Sequence, residues 1–290
     1  MRLIFALLFC LAAVALPARP GAQPRLTFSG SATVALSSDA PSPAIGLLDV
    51  TADIRLSHAL HLEIGALEYV LRGKHPHETY AALAWNDRWR LGVIRPAYDG
   101  VLSSALVAMA PHAAFDARAT HLSYATVGAM SRTDVPWGLS YSAQGANLRW
   151  GVSLHDTLRG GYRMLSGALA WSRGGWTLSA AAEGVWSSAG TWRGANLKAG
   201  AALSLPQTEV ALTLFHPDAN RAPDAAELSL TRHLRPRLDL GVVAHVEQGR
   251  SGDLAGLGLS YALGGASRVF ATALGGTSNG SLQLGLEARF

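Results

Sequence analysis

From Arg25 to the last residue the chain alternates apolar and polar side chains with a period of two, and that rhythm excludes most folds. Leu26, Phe28, Ala32, Val34 and Leu36 share one face, and Thr27, Ser29, Ser31, Thr33 and Ser37 share the other. Leu48, Val50, Ala52, Ile54 and Leu56 alternate in the same way with Asp49, Thr51, Asp53, Arg55 and Ser57. Beyond the amino terminus no apolar run approaches the roughly 20 residues of a membrane helix, so any crossing of a bilayer has to be made by strands. No helical heptad competes with this reading.

Further segments of the same kind cover 60–71, 77–86, 88–95, 136–143, 146–155, 162–171, 175–187, 193–205, 207–216, 224–233, 236–247, 253–263, 266–275 and 279–290, which predicts sixteen strands in all. Their connections alternate in length. Tight turns at His58-Ala59, Asn86-Asp87, Gln144-Gly145, Gly174-Gly175, Pro206, Leu234-Arg235 and Gly264-Gly265 belong to one rim, and the longer connections belong to the other. An even strand number with short turns on one side is the layout of an antiparallel transmembrane β-barrel, with both termini on the short-turn rim. The stretch 120–127 could itself be a strand. That would make seventeen and break the parity, so it is assigned to a loop.

That loop, residues 96–134, is the longest stretch without a strand rhythm, and compact domains seldom carry one this long without a use for it. It holds Asp99, Asp116, Asp134, Arg118 and Arg132. Hanging from the long-connection rim, it can fold inward and narrow the lumen.

A sixteen-stranded barrel encloses water, so the polar faces line a channel and the Leu, Val and Ala faces meet lipid. Tryptophans support this arrangement of faces. Trp85, Trp89, Trp171 and Trp176 flank tight turns, and Trp137, Trp186 and Trp192 lie near the opposite rim, as two interfacial belts require; Trp150 reads as a mid-strand exception. The last segment sets Leu282, Leu284, Leu286, Ala288 and Phe290 against Gln283, Glu287 and Arg289, an alternation that ends in a terminal phenylalanine. Such an ending is similar to the strand by which outer-membrane proteins are recognised for assembly.

Residues 1–22 read as an export signal: Arg2, an apolar run from Leu3 to Leu16, then small residues and prolines, with cleavage placed after Ala22. Cys10, the one cysteine, lies inside that run, so residues 23–290 contain no thiol to form a disulfide. The formal charge of +4 falls to +2 over residues 23–290, because Arg2 and Arg19 leave and no acid leaves with them. Charges this few and this scattered exclude nucleic acid as a partner.

The stretch Arg88-Trp89-Arg90-Leu91-Gly92-Val93-Ile94-Arg95-Pro96 resembles the fifth strand and inward loop of general bacterial porins. Gly138-Leu139-Ser140-Tyr141-Ser142 and Asn147-Leu148-Arg149-Trp150-Gly151-Val152-Ser153 resemble their sixth and seventh strands, and the likeness is to porins of alphaproteobacterial type. The resemblance implies an all-β, sixteen-stranded barrel in the outer membrane of a Gram-negative bacterium, assembled as a homotrimer among membrane lipids. It implies passive diffusion of small hydrophilic solutes and ions, with no cofactor and no catalysis. It also implies an eyelet in which acids of the third loop, here Asp99 and Asp116, oppose basic wall groups, here Arg55, Arg90 and Arg149.

Other chemistry finds little footing. The ten histidines include His75-Pro76-His77 in a turn, without a second pair at ligand spacing, so no metal site is predicted. No Gly-x-Ser-x-Gly occurs in a strand-turn-helix setting, and the glycines at 256–258 and 275–276 fall on strands rather than in a phosphate-binding loop. Two alternatives stay open: a barrel enzyme of lipase or protease type, and a structural barrel plugged by its own loop.

Overall fold

The computed structural model describes residues 26–38, 43–132, 134–157, 161–249, 252–277 and 280–290; the stretch 1–22 read as an export signal lies outside them. Sixteen strands form one sheet that closes on itself: β1 (Leu26–Ser37), β2 (Ala44–Arg55), β3 (Leu60–Val70), β4 (His77–Trp85), β5 (Trp89–Val93), β6 (Pro136–Gln144), β7 (Leu148–Thr157), β8 (Tyr162–Arg173), β9 (Trp176–Ser187), β10 (Trp192–Leu205), β11 (Thr208–Pro217), β12 (Ala225–Arg235), β13 (Leu238–Glu247), β14 (Leu254–Gly264), β15 (Ser267–Gly276) and β16 (Ser281–Arg289). Every neighbour is antiparallel and adjacent in sequence, except at the seam, where β1 pairs with β16 from Ser31↔Arg289 to Ser37↔Gln283. Phe290 completes the seam. Its N–H donates to the Gly30 carbonyl at 3.1 Å, and the Gly30 N–H donates to the Phe290 carbonyl at 2.9 Å. Closure gives every strand a hydrogen-bonded neighbour on each side, the condition a sheet must meet inside hydrocarbon.

The turns follow from local chemistry. Between β4 and β5 both Asn86 and Asp87 are left-handed, with φ of 52° and 55°, the pairing a two-residue turn needs to match the strand twist. Asn and Asp tolerate that conformation because their short side chains bond locally.

Large apolar side chains face outward all round the barrel: Leu282 is 65% exposed, Leu36 62% and Leu154 56%. Water would not tolerate a surface of this kind, and a bilayer requires it. The inward face carries Thr33, Ser153, Ser166, Thr213, Thr272 and Gln283, all buried against the barrel's contents.

Two local details differ from the sequence reading. β2 starts at Ala44, four residues before the alternation becomes clean, because Ile45 and Leu47 point inward and are apolar. Trp150 is the third residue of β7, beside a short turn, and its ring meets Tyr141 at 5.3 Å, with Tyr141 in turn meeting Trp89 at 4.7 Å. It belongs to the short-turn belt rather than to mid-strand. All eight tryptophans then fall on β4 through β10, and none falls on the other nine strands.

Candidate functional site: the loop-crossed lumen

The stretch between β5 and β6 folds into the barrel as a 3-10 turn (Ala97–Gly100) and four short helices, α1 (Ala105–Met109), α2 (Pro111–Asp116), α3 (Arg118–His121) and α4 (Tyr124–Arg132). Residues 120–127 are thus mainly helical, and the strand count stays even. None of these helices is long enough to hold itself together in water, so the wall has to hold them.

It does so on opposite sides. At the start, the Arg95 guanidinium reaches Asp49 and Glu78, each at 3.0 Å, and lies over the Tyr80 ring at 4.9 Å. The Ala97 N–H donates to Ser153 Oγ at 2.9 Å, and Tyr98 is fully buried against Ala170 and Ala181 of β8 and β9. The chain then crosses to β12, where both Ser104 Oγ (2.7 Å) and the Ala105 N–H donate to the Glu227 carboxylate. Leu106 packs on Val243, and Met109 fills a slot floored by glycine: a Cβ on Gly241, Gly256 or Gly258 would come within 2.7, 3.3 and 3.3 Å of its side chain. Thr272 Oγ1 donates to the Met109 carbonyl at 2.7 Å.

Helix α2 turns back across the lumen. Its Phe115 stacks on Tyr69 at 5.0 Å and joins Ile45, Leu47, Leu71 and Met130 in an apolar cluster inside the barrel. The Arg118 guanidinium also lies over the Phe115 ring, 4.2 Å from its centre. Buried Lys198 of β10 donates to the His121 carbonyl at 3.3 Å and lies 4.3 Å from the centre of the Tyr98 ring. Buried Glu183 of β9 accepts the Tyr124 N–H at 2.7 Å, so α4 begins on a wall carboxylate just as α1 does. Burial depresses the basicity of the His121 imidazole and raises the pKa of the Tyr98 phenol, so both stay neutral within the docked loop.

Among solved structures, a five-substitution mutant of Rhodopseudomonas blastica porin superposes with a TM-score of 0.66 at 14% identity, covering 91% of this chain and 100% of that one. The chain has the porin fold. A triple mutant of the same porin and a structure described under the asymmetric conductivity of engineered proteins both score 0.65 over the same coverage, at 13% and 14% identity. No protein-family profile and no curated protein matches the sequence.

Within this porin-fold lumen, three of the predicted eyelet residues line one cavity. Asp99, Arg90 and Arg149 face a space of about 360 Å³, together with Glu63, Arg95, Ser140 and Ser142. Arg90 is held by Glu63 through two bonds of 2.8 and 3.1 Å, and Arg149 donates to the Gly100 carbonyl at 3.4 Å. Both Asp99 oxygens are engaged by the loop itself, accepting from the Ser123 N–H at 2.8 Å and Thr126 Oγ1 at 2.7 Å. Arg55 stands apart, at the last position of β2 opposite His61 by the short-turn rim. Asp116 is also separate, ending α2 with its carboxylate 3.2 Å from His112 Nδ1.

Sequence reasoning missed the residues that carry the docking: Glu78, Glu183, Glu227, Lys198 and Arg95. A signal existed for Glu183, which alternates with Ala181 and Val185 on its inward face, an apolar setting that suits a covered wall better than a wet one.

Proposed function

We propose that this protein is an outer-membrane channel of a Gram-negative bacterium, passing small hydrophilic solutes and ions by passive diffusion, with no cofactor and no catalytic step. The observation that carries the reading is a closed sixteen-strand wall, apolar outside and polar within, narrowed by one inward loop. In this reading the selecting neck is the cavity around Asp99, Arg90 and Arg149, with Asp116 and Arg55 adding charge along the path. Fixed charges in a narrow wet passage select solutes by charge and size.

A homotrimer is part of the proposal. Tryptophan favours the lipid–water boundary, and the nine strands without it, β11 through β16 and β1 through β3, offer an arc for other copies to cover. Planar-bilayer conductance in a salt gradient tests the channel, with stepwise openings as the expected result. Arg90→Gln and Asp99→Asn should each shift the reversal potential; unchanged potentials in both would remove these residues from the selecting role.

One observation favours a second reading, a barrel closed by its own loop. The loop is fastened to β12–β15 as well as to β2–β4 and β7–β10, so it spans the lumen instead of lining one side. Insertion into the bilayer with neither conductance nor turnover would establish that reading.

A further inference from the structure

On the long-connection side a mouth-like cavity of about 560 Å³ is lined by Tyr124, Val127, Trp192, Arg193, Ala219, Asn220 and Arg221. Among the described residues no Asp or Glu lines it. The nearest acid in sequence, Asp218, directs its carboxylate to the Ala195 N–H at 3.3 Å. Arg193 has only neutral acceptors, the Tyr124 hydroxyl at 3.0 Å and the Gly161 carbonyl at 3.3 Å, and Arg221 has no side-chain partner among the described residues. Among the described residues, two guanidinium groups therefore line one cavity with no carboxylate within ion-pair distance of either. A guanidinium's fork of N–H donors fits the paired oxygens of a carboxylate or phosphate.

The backbone at Arg221 adds an independent indication. Its φ is 56°, in the turn closed by the Arg221 N–H donating to the Asp218 carbonyl at 3.0 Å. Glycine would take this position without strain, whereas an L side chain is strained there. Strain of this kind is retained where the side chain has a use.

We propose that this mouth is a binding seat for small organic or inorganic anions bearing carboxylate or phosphate groups, held between Arg193 on β10 and Arg221 on the β11–β12 turn. The site is bordered by α4 of the loop and shares no residue with the neck proposed for selection. An occupant would also touch Tyr124, the first residue of α4, and so would tie the wall to the loop.

The test is isothermal titration calorimetry on the whole detergent-solubilised protein at low ionic strength, with inorganic phosphate in one arm and citrate in the other. Because it reads binding and not current, it stands or falls separately from the channel proposal. One saturable site in at least one arm is expected, weakened about tenfold or more by Arg193→Gln, with Arg173→Gln at the opposite rim as the control for lost net charge. Arg221→Gly separates seat from scaffold: it should leave the thermal midpoint unchanged or raise it while weakening the anion about tenfold. The proposal is overturned by an absence of saturable heat in both arms, by an equal loss in Arg173→Gln, or by full binding in Arg221→Gly. A response to phosphate alone or citrate alone identifies which oxyanion the seat prefers.

Discussion

Replacing Glu227 by Gln should release one arm of the loop while leaving the barrel wall intact. The wild-type carboxylate accepts from Ser104 Oγ and from the Ala105 N–H, and its second neighbour is His245 Nδ1 at 3.4 Å. An amide offers one oxygen in place of two and turns an NH₂ toward groups that are already donors. One charge-assisted bond is lost and the other becomes neutral, and bonds to charged groups contribute about 1.5–3 kcal/mol each. With part of that loss offset by relaxation, docking of residues 104–110 should weaken by about 2–4 kcal/mol. At about 1.4 kcal/mol per decade, their amides should exchange with solvent about 30- to 1,000-fold faster. Hydrogen exchange read by mass spectrometry on detergent-solubilised protein measures this directly, with the β12 and β13 amides as internal control. Equal exchange in wild type and variant would refute the view that Glu227 holds α1. Faster exchange in the strands as well would show that the residue serves the wall and not the loop.

Further outcomes follow from other contacts. Met109→Ala should raise single-channel conductance by vacating the slot over Gly241, Gly256 and Gly258, and an unchanged unit conductance would exclude that arm from the limiting passage. Gly65→Ala should lower the thermal midpoint, since the new Cβ would lie 2.2 Å from the Tyr80 ring and 2.5 Å from the Val50 carbonyl oxygen. Adding Tyr80→Ala should restore only part of it, because the carbonyl cannot move away; full restoration would contradict that account. His121 stays neutral in the docked loop, whereas a free imidazole protonates near 6.5, so the docking it supports is complete above about pH 6.5 and declines as pH falls below it. The groups facing it, Lys198 against charging and Asp99 and Glu227 in favour, do not outweigh burial. Protection of 118–124, read as exchange corrected for the pH dependence of intrinsic amide rates, should therefore fall between pH 7.5 and pH 5, and His121→Gln should flatten that response.

The wall was legible because a barrel strand buried between lipid and water has one rule, alternation, and obeys it where water fills the lumen. Legibility failed where the loop replaces water. Ile45 and Leu47 break the alternation of β2 because they pack on Phe115 and Met130, contacts about seventy residues or more away in sequence that no local pattern encodes. Glu183 and Glu227 each meet the first turn of a loop helix, and their partners include backbone N–H groups, which every residue possesses and no residue type announces. The positions of Asp99, Arg90 and Arg149 on one cavity follow from strand order, since β5 and β7 flank β6 and the loop begins where β5 ends. Asp116 lies elsewhere because the loop carries α2 toward β2 and β3, a path with no signature in residue type, and Arg55 because it ends β2 at the short-turn rim.

The confinement of every tryptophan to β4 through β10 makes the protein's own fluorescence a one-sided reporter. Brominated acyl chains quench indole only on contact, so lipid reaching those seven strands dims the emission, while events on the other nine strands pass unseen. A single tryptophan introduced on the dark side, at exposed Leu284 of β16, would turn that blindness into a comparison. If other copies cover the arc, the new signal should resist quenching in the assembled protein and yield to it once the copies are separated.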